Sequence, residues 1–217
     1  MALSPFDPSV VFSKHLPVAF LEASVSCLVD SYSTSWAECD AAHQKPEAHD
    51  LWPYARRAKF EGEWRSLAKG FESISASVEL NYSKNWHHTR IQGGPVILTA
   101  SAVRDEAEIV RYAVFRETLA RSNQAYLFDD IMPPPLPDAP LYAILIHAPS
   151  LETPSRPRFA HVVFPSPDAK GYVGRIRLEL QFPKYFAPTE NDIEEKVADI
   201  AIPELYPDVT KRSKKSL

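Results

Sequence analysis

Glycine is scarce in this chain, and its few occurrences do not form a known phosphate-binding pattern. A P-loop or a dinucleotide-binding turn needs several glycines at fixed spacing, because backbone N–H groups must approach the phosphate closely. The 217 residues include six glycines, which are Gly62, Gly70, Gly93, Gly94, Gly171 and Gly174. The motifs GxSxG, HExxH and CxxC are also absent. The chain therefore lacks the usual signals of P-loop and dinucleotide-binding proteins, serine hydrolases and zinc enzymes.

Cysteine and long apolar runs are scarce as well. Cys27 and Cys39 are the two cysteines, and both fall in one predicted helix. A rise of about 1.5 Å per residue places them roughly 18 Å apart, beyond the reach of a disulfide, which indicates a reducing compartment. No segment reaches ~18 uninterrupted apolar residues, and the N-terminus lacks the basic start and apolar run of a signal peptide. We therefore expect a cytoplasmic protein that does not contact a membrane.

The composition favours a globular protein without a strong overall charge. Hydrophobic residues make up 45% of the chain, which is enough to build a sizeable core. A formal net charge of -4 and a pI of about 6.0 predict no general attraction to nucleic acid. We expect an extended N-terminal arm over residues 1–16, a single domain over 17–202 and a flexible basic tail over 203–217.

Hydrophobic periodicity predicts the order of the secondary structure. Helical stripes begin near Val18 and near Asp50, and period-two or continuous apolar patterns follow in two groups of three strands. The strands are predicted over 74–82, 86–92, 95–103, 141–146, 159–164 and 173–182, with a helix over 112–123 and a short final helix near 191–200. Short turns within each group require antiparallel pairing. The predicted fold class is α+β, with two N-terminal helices and an antiparallel sheet of two three-stranded meanders separated by a helix.

The first long helix carries the most regular apolar stripe in the sequence. Its apolar positions follow a heptad-like spacing, which is typical of a helix that packs against another helix. One interpretation is a helix packed on its own domain. The other is a helix shared with a second copy or another protein, for which the partner-binding residues are Val18, Leu21, Val25, Leu28 and Tyr32.

The stretch from residue 81 to residue 128 contains the best candidate site. If the helix over 112–123 is regular, Arg116 and Asn123 lie on the same apolar arc as Phe115 and Leu119. A guanidinium on a core-facing stripe must find acceptors or reach a cavity, because an unpaired buried charge is costly. Two alternatives follow: Arg116 pairs with an acidic side chain as part of the architecture, or it opens to a cleft, where it holds an anionic oxygen of a ligand.

Two adjacent histidines precede this helix. His87 and His88 fall in one predicted strand, so their side chains point to opposite faces and at most one reaches the site. A histidine with a pKa near 6.5 can act as acid or base. The predicted binding residues around it are Arg57, Asn81, Asn85, Arg90 and Asn123. No spacing of ligands supports a metal site, and no cofactor is predicted.

Two classes of function are consistent with these features. The first is a protein-interaction or regulatory module that forms a homodimer or binds a protein partner through its first helix. The second is a metal-independent nuclease or nucleotide-processing hydrolase that uses His87 or His88 together with Arg116. Nucleic-acid binding through the basic tail and Arg175 and Arg177 is a third alternative, which the acidic net charge does not favour. Whether the protein is an enzyme stays open at the level of the sequence.

Overall fold

The computed structural model of the protein describes residues 7–126 and 139–187. These residues form five α-helices and one six-stranded sheet, and a 3-10 turn over Arg121–Tyr126 follows the fourth helix. The helices are α1 (Pro8–His15), α2 (Val18–Ala42), α3 (Glu47–Ala68), α4 (Val114–Ala120) and α5 (Leu178–Gln181). The strands are β1 (Ile74–Leu80), β2 (His87–Gly93), β3 (Val96–Ala102), β4 (Leu141–Pro149), β5 (Pro157–Pro165) and β6 (Tyr172–Arg177).

The sheet follows the order of the sequence, β1-β2-β3-β4-β5-β6. Each group of three strands is an antiparallel meander, so the predicted α+β class with two meanders is confirmed. The two meanders meet through a parallel pair, in which Val96 lies opposite Leu141 and Ala102 lies opposite His147. A parallel pair needs a long crossover, and the segment that contains α4 supplies it. The sheet is therefore mixed and mostly antiparallel.

The larger core lies between one face of the sheet and helices α1 to α3. The indole of Trp64 on α3 is stacked between Phe20 and Phe60, with ring centroids 6.5 Å and 5.2 Å away. Its Nε1 donates to Ser24 Oγ at 2.9 Å, so the one polar atom of this buried ring is satisfied. Each fully buried large apolar side chain contributes about 1.5–3 kcal/mol. This packing anchors α2 and α3 to the sheet.

A smaller core covers the opposite face of the sheet. It is built around Tyr142, Ile144 and Val163, with α4 and the chain before it lying above them. Asn123, just after α4, is buried, and its amide donates to the carbonyls of Tyr142 and Pro165 and accepts from Tyr142 N–H. These three bonds of 2.7–2.9 Å use both amide donors and one of the two acceptor positions of the side chain. In the described residues Asn123 therefore has a structural role, which differs from the predicted binding role.

Several predicted boundaries also need correction. Residues Pro8–His15 form α1 rather than an extended arm: Asp7 caps the helix through Ser9 N–H, and Phe12 is buried. Pro8 is compatible with this start because the first helical residue has no intrahelical N–H partner to lose. At the other end, β6 stops at Arg177, since Leu178 and Phe182 occupy the buried side of a helical turn instead of alternate positions of a strand.

The helix after β3 is shorter than predicted. It begins at Val114, so Tyr112 precedes it and is 69% exposed instead of lying on the buried arc. Helix α3 begins at Glu47, one turn before the predicted cap at Asp50. The predicted final helix and the basic tail lie outside the described residues.

The stripe on α2 packs inside its own domain. Leu21, Val25, Leu28 and Tyr32 are all buried, whereas Val18 is 63% exposed. Four of the five predicted partner-binding residues therefore contribute to the core of a single chain, because the stripe faces α3 and the sheet. This burial is a correction to the predicted interaction surface and agrees with the other interpretation of the same pattern.

Replacing Leu28 by aspartate tests whether the stripe is a core. We expect Leu28→Asp to lower the free energy of unfolding by about 4 kcal/mol or more, because it buries an unpaired carboxylate. Val18→Asp on the same helix is the matched control, and its effect should stay within about 0.5 kcal/mol. Chemical denaturation followed by circular dichroism measures both. A folded Leu28→Asp variant that merely loses a binding partner would contradict the assignment.

Candidate functional site

The sheet opens between β2 and β3. Hydrogen-bonded pairing of these strands covers three residue pairs and ends at Ile91 and Leu98. Beyond that point β2 continues to pair with β1 as far as His87, while β3 continues to pair with β4 as far as Ala102. The two strands therefore separate at the end of the sheet where β3 finishes, and part of the β2 backbone needs other partners.

Helix α3 supplies those partners. The carboxylate of Glu61 is buried and accepts from Thr89 N–H at 2.9 Å and from Thr89 Oγ at 3.1 Å. Arg57, one turn earlier, pairs with Glu61 at 2.7 Å and donates to the carbonyl of His87 at 2.8 Å. Arg65 donates to Thr89 Oγ at 2.6 Å. These side chains fix the open end of the sheet, which becomes one wall of a cavity.

We refer to this cavity, of about 580 Å³, as the hairpin cleft. Its walls come from α3, the β1–β2 hairpin, the start of β2 and the chain from Arg111 to Arg116. The structure brings together five of the residues that the sequence singled out, which are Arg57, Asn81, Asn85, His88 and Arg116. Three other predicted residues, His87, Arg90 and Asn123, do not line the cleft.

The guanidinium of Arg116 lies at the inner end of the cleft. It donates to the carbonyl of Arg111 at 2.8 Å and to Ser101 Oγ at 3.2 Å, and its Nε is buried without a hydrogen-bond partner. Burial lowers the pKa of this guanidinium from its usual value, and Tyr142 partly opposes the shift. Among the described residues no carboxylate forms an ion pair with Arg116. Its positive charge is therefore available to an anion in the cleft.

Charge in the cleft is positive on balance. Arg57, Arg111 and Arg116 line it, and none of the residues that form its walls is an aspartate or glutamate. Arg57 is already paired with Glu61, whereas the exposed Arg111 side chain has no ion-pair partner among the described residues. Two of the three guanidinium groups are consequently not neutralised by the protein.

Four aromatic side chains surround the mouth of the cleft. Tyr54, Tyr82, Trp86 and Tyr112 are between 42% and 81% exposed, and among residues 7–123 and 139–187 they are the exposed Phe, Tyr and Trp residues. Trp86 lies 6.1 Å from Tyr54 by ring centroids, and the guanidinium of Arg57 sits 4.8 Å above its ring. Sequence reasoning did not assign these residues to the site. The feature of the sequence that could have indicated them is the position of Tyr82 and Trp86 on either side of the hairpin turn.

His88 forms part of the wall behind Arg116. It is 6% exposed, and its ring stacks on Phe115 at 3.8 Å between centroids with an angle of 16°. Both ring nitrogens are buried without a hydrogen-bond partner among the described residues, and the nearest carboxylate oxygen, on Glu79, is 3.9 Å from Nε2. Burial lowers the pKa of His88, and Glu79 opposes the shift. The imidazole is therefore neutral near pH 7.

The remaining predicted residues have structural roles. His87 is exposed on the opposite face of β2, as the alternation of a strand requires, so it cannot act with Arg116. Arg90 pairs with Glu79 at 3.0 Å and lies beyond the cleft. Asn81 and Asn85 line the cleft and also close the hairpin turn through a 2.8 Å bond between their side chains.

Other reactive groups do not form a second catalytic centre in the described residues. His147 is bonded to Tyr32 Oη at 2.8 Å and His161 to Glu179 at 2.8 Å, and the two histidines lie on neighbouring strands but on opposite faces of the sheet. No group of three His, Cys, Asp or Glu residues in this part of the chain could hold a metal ion. Burial, reinforced by Glu63, raises the pKa of Cys27 to about 12, so its thiol is a poor nucleophile.

Comparisons of the chain with protein families, curated proteins and solved structures gave no match. Within the described ranges, none of the helices combines the length and the apolar character needed to cross a membrane. The chemistry of the hairpin cleft is therefore the basis for assigning a function.

The lowered pKa of His88 predicts a specific loss of stability in acid. Below about pH 6.5 the unfolded chain binds a proton at this position that the folded protein does not yet bind, so the free energy of unfolding falls as the pH drops. His88→Phe keeps an aromatic ring on Phe115 and removes the titration. Urea denaturation at pH 7 and pH 5 should show a smaller loss of stability for the variant than for the wild type. An equal loss in both proteins would show that His88 is not held neutral.

Proposed function

We propose that the protein binds nucleotides in the hairpin cleft, with the phosphate at the arginines and the base stacked on the aromatic rings. The observation that supports this proposal is that exposed aromatic side chains and arginines line the same cavity. Four exposed aromatic side chains, all of those found among residues 7–123 and 139–187, meet there together with three arginines and no carboxylate. Nucleotides combine the two chemical groups that such a site recognises, an anion and a planar ring.

Arginine suits the phosphate for geometric reasons. Its planar guanidinium presents several N–H groups, and hydrogen bonds between charged partners contribute about 1.5–3 kcal/mol each. Arg111 is exposed and can follow a ligand, whereas Arg116 is fixed by the carbonyl of Arg111 and the hydroxyl of Ser101. A fixed donor loses little conformational entropy on binding, so Arg116 sets the position of the phosphate. The exposed Arg111 side chain can then move to contact the same phosphate.

Stacking on aromatic rings suits the base. Each base–aromatic contact is worth about 1–3 kcal/mol and works for every base, because every base has a π face. Trp86 is held between Tyr54 and the guanidinium of Arg57, so its ring is oriented before a ligand arrives. The side chains of Asn81 and Asn85 at the hairpin turn offer amide groups near the mouth, although they are partly committed to each other.

Calorimetric titration with 5′-AMP tests this proposal. We expect 5′-AMP to bind at least about tenfold more tightly than adenosine or inorganic phosphate, since only the nucleotide uses both groups. Arg111→Ala should weaken binding of 5′-AMP by about 10-fold or more, and Trp86→Ala by a factor of about 5 or more. Arg104→Ala removes an exposed arginine outside the cleft and should leave the affinity unchanged. No binding of 5′-AMP, or equal losses for Arg104→Ala and Arg111→Ala, would overturn the proposal.

His88 supports a second candidate function, the metal-independent cleavage of a phosphodiester. Its neutral imidazole lines the cleft beside Arg116 and has no hydrogen-bond partner among the described residues. It can accept the proton of an attacking hydroxyl group as the new P–O bond forms, while Arg116 stabilises the negative charge on phosphorus oxygens. As the P–O bond to the leaving group breaks, the leaving alkoxide takes a proton from water, and the hydroxide so formed removes the proton from His88, which restores the neutral imidazole.

Cleavage of a short oligoribonucleotide in the presence of EDTA tests this second function. His88→Gln should reduce the rate by about 100-fold or more, since general base catalysis contributes 10²–10⁴-fold in typical enzymes. Its affinity for 5′-AMP should change little, because the arginines and aromatic rings remain. His87→Gln is the control and should retain full activity. Complete inhibition by EDTA, or wild-type cleavage by His88→Gln, would exclude this mechanism.

A further inference from the structure

A second cavity adjoins the hairpin cleft. It has a volume of about 480 Å³ and lies between the chain at 109–117, the middle of β4 and the turn that joins β5 to β6. Four residues line both cavities, namely Arg111, Tyr112, Ala113 and Arg116. The two spaces are therefore neighbours across one short piece of chain, with two guanidinium groups at their junction.

We infer that the ligand is a single strand of nucleic acid, bound with one phosphodiester group at Arg111 and Arg116 and one nucleoside in each cavity. This inference rests on the proposed function and extends it from a mononucleotide to a strand. The hairpin cleft alone accounts for one base and one phosphate. A phosphate at the junction can carry a nucleoside on each of its two ester oxygens, and each side of the junction has a cavity to receive one.

The walls of the second cavity suit a nucleoside. Its apolar side chains include Ile109, Val110 and Ile144, and it also contains the ring of Tyr172. The Tyr172 hydroxyl accepts from Val110 N–H at 3.0 Å and donates to the carbonyl of Glu108 at 3.1 Å, so the ring is held in place. A fixed ring beside apolar side chains is a suitable stacking surface for a base.

Two carboxylates also line this cavity, and both are already engaged. Glu117 accepts from Tyr112 Oη at 2.9 Å and pairs with Arg121 at 2.8 Å. Asp168 accepts from Ser166 Oγ at 2.6 Å and from Lys170 N–H at 3.1 Å. Apart from the two shared arginines, the second cavity has these two carboxylates and one ammonium group, that of Lys170, so its own charge is negative on balance and disfavours another phosphate. The remaining lone pairs of the carboxylates can accept from a base amino group or a sugar hydroxyl. This difference in charge favours a single phosphate at the junction.

Both cavities have exposed side chains at their openings. The hairpin cleft has exposed rings at its mouth, with Tyr82 at 81% and Tyr54 at 61% exposure. The exposed Ile109 and Lys170 lie at the second cavity. Exposed side chains at both ends allow a strand to enter and leave, which a closed mononucleotide pocket would not require.

Titration with dinucleoside monophosphates tests the inference. The probes are 5′-AMP, ApA and its deoxy counterpart dApdA, measured by calorimetry at one salt concentration. We expect both dinucleotides to bind at least about fivefold more tightly than 5′-AMP, because a second base is stacked. A preference for ApA over dApdA would identify RNA, and equal affinities would identify single strands in general.

Ile109→Ser, which removes apolar surface from the wall of the second cavity at an exposed position, should lower the ratio of the ApA affinity to the 5′-AMP affinity toward one. Arg104→Ala serves again as the control and should leave this ratio at the wild-type value. If 5′-AMP and both dinucleotides bind the wild type equally well, the inference fails while the proposed function stands. If none of them binds, the proposed function itself fails. If Ile109→Ser leaves the ratio at the wild-type value, the second nucleoside lies elsewhere and the inference is overturned.

Discussion

The structure depends on one buried carboxylate, that of Glu61. Where β2 leaves β3, the N–H of Thr89 has no strand partner, and Glu61 on α3 accepts it at 2.9 Å while also binding the Thr89 hydroxyl. A buried N–H without a partner costs about 1–3 kcal/mol, so this contact is what allows the sheet to open at all. Glu61 in turn fixes Arg57 at 2.7 Å, and Arg57 orients Trp86. The opening of the sheet and the wall of the cleft thus follow from the same side chain.

Patterns of local sequence predicted the order of elements and the membership of much of the cleft. The two meanders and the opposite directions of His87 and His88 could be inferred from periodicity and short turns, whereas the meeting of Arg57 with Arg116 was only a hypothesis based on residue type. Periodicity could not distinguish a helix face buried in its own domain from one buried against a partner, because the apolar spacing of Val25 and Leu28 is the same in both cases. The opening of the sheet was also out of reach, because it depends on pairing between residues that are distant in sequence, as in Thr89 with Glu61. The four exposed aromatic side chains at the hairpin cleft were also not predicted, because they come from segments that are distant in sequence.

Two arginines with strongly desolvated guanidinium groups show how the same residue type acquires different roles. Arg56 is 5% exposed and lies between the rings of Tyr32 and Trp52, at 4.4 Å and 4.5 Å, without a carboxylate partner among the described residues. The aromatic faces offset part of its desolvation, by about 0.5–2 kcal/mol, and they also cover it. Arg116 is held by a carbonyl and a hydroxyl and lines two cavities. Both charges are costly to bury, but only that of Arg116 can be compensated by a ligand.

The acidic net charge of the chain determines what kind of recognition such a site can perform. With a formal charge of -4, the protein gains little from long-range attraction to a phosphate backbone. The arginines of the cleft act at contact distance, where low dielectric strengthens each charge-assisted bond. In the proposed site, selectivity would come from stacking and from the fit of a ligand around Arg116 rather than from the number of phosphates. A short single strand with accessible bases meets that requirement, whereas a duplex, whose bases are already stacked, does not.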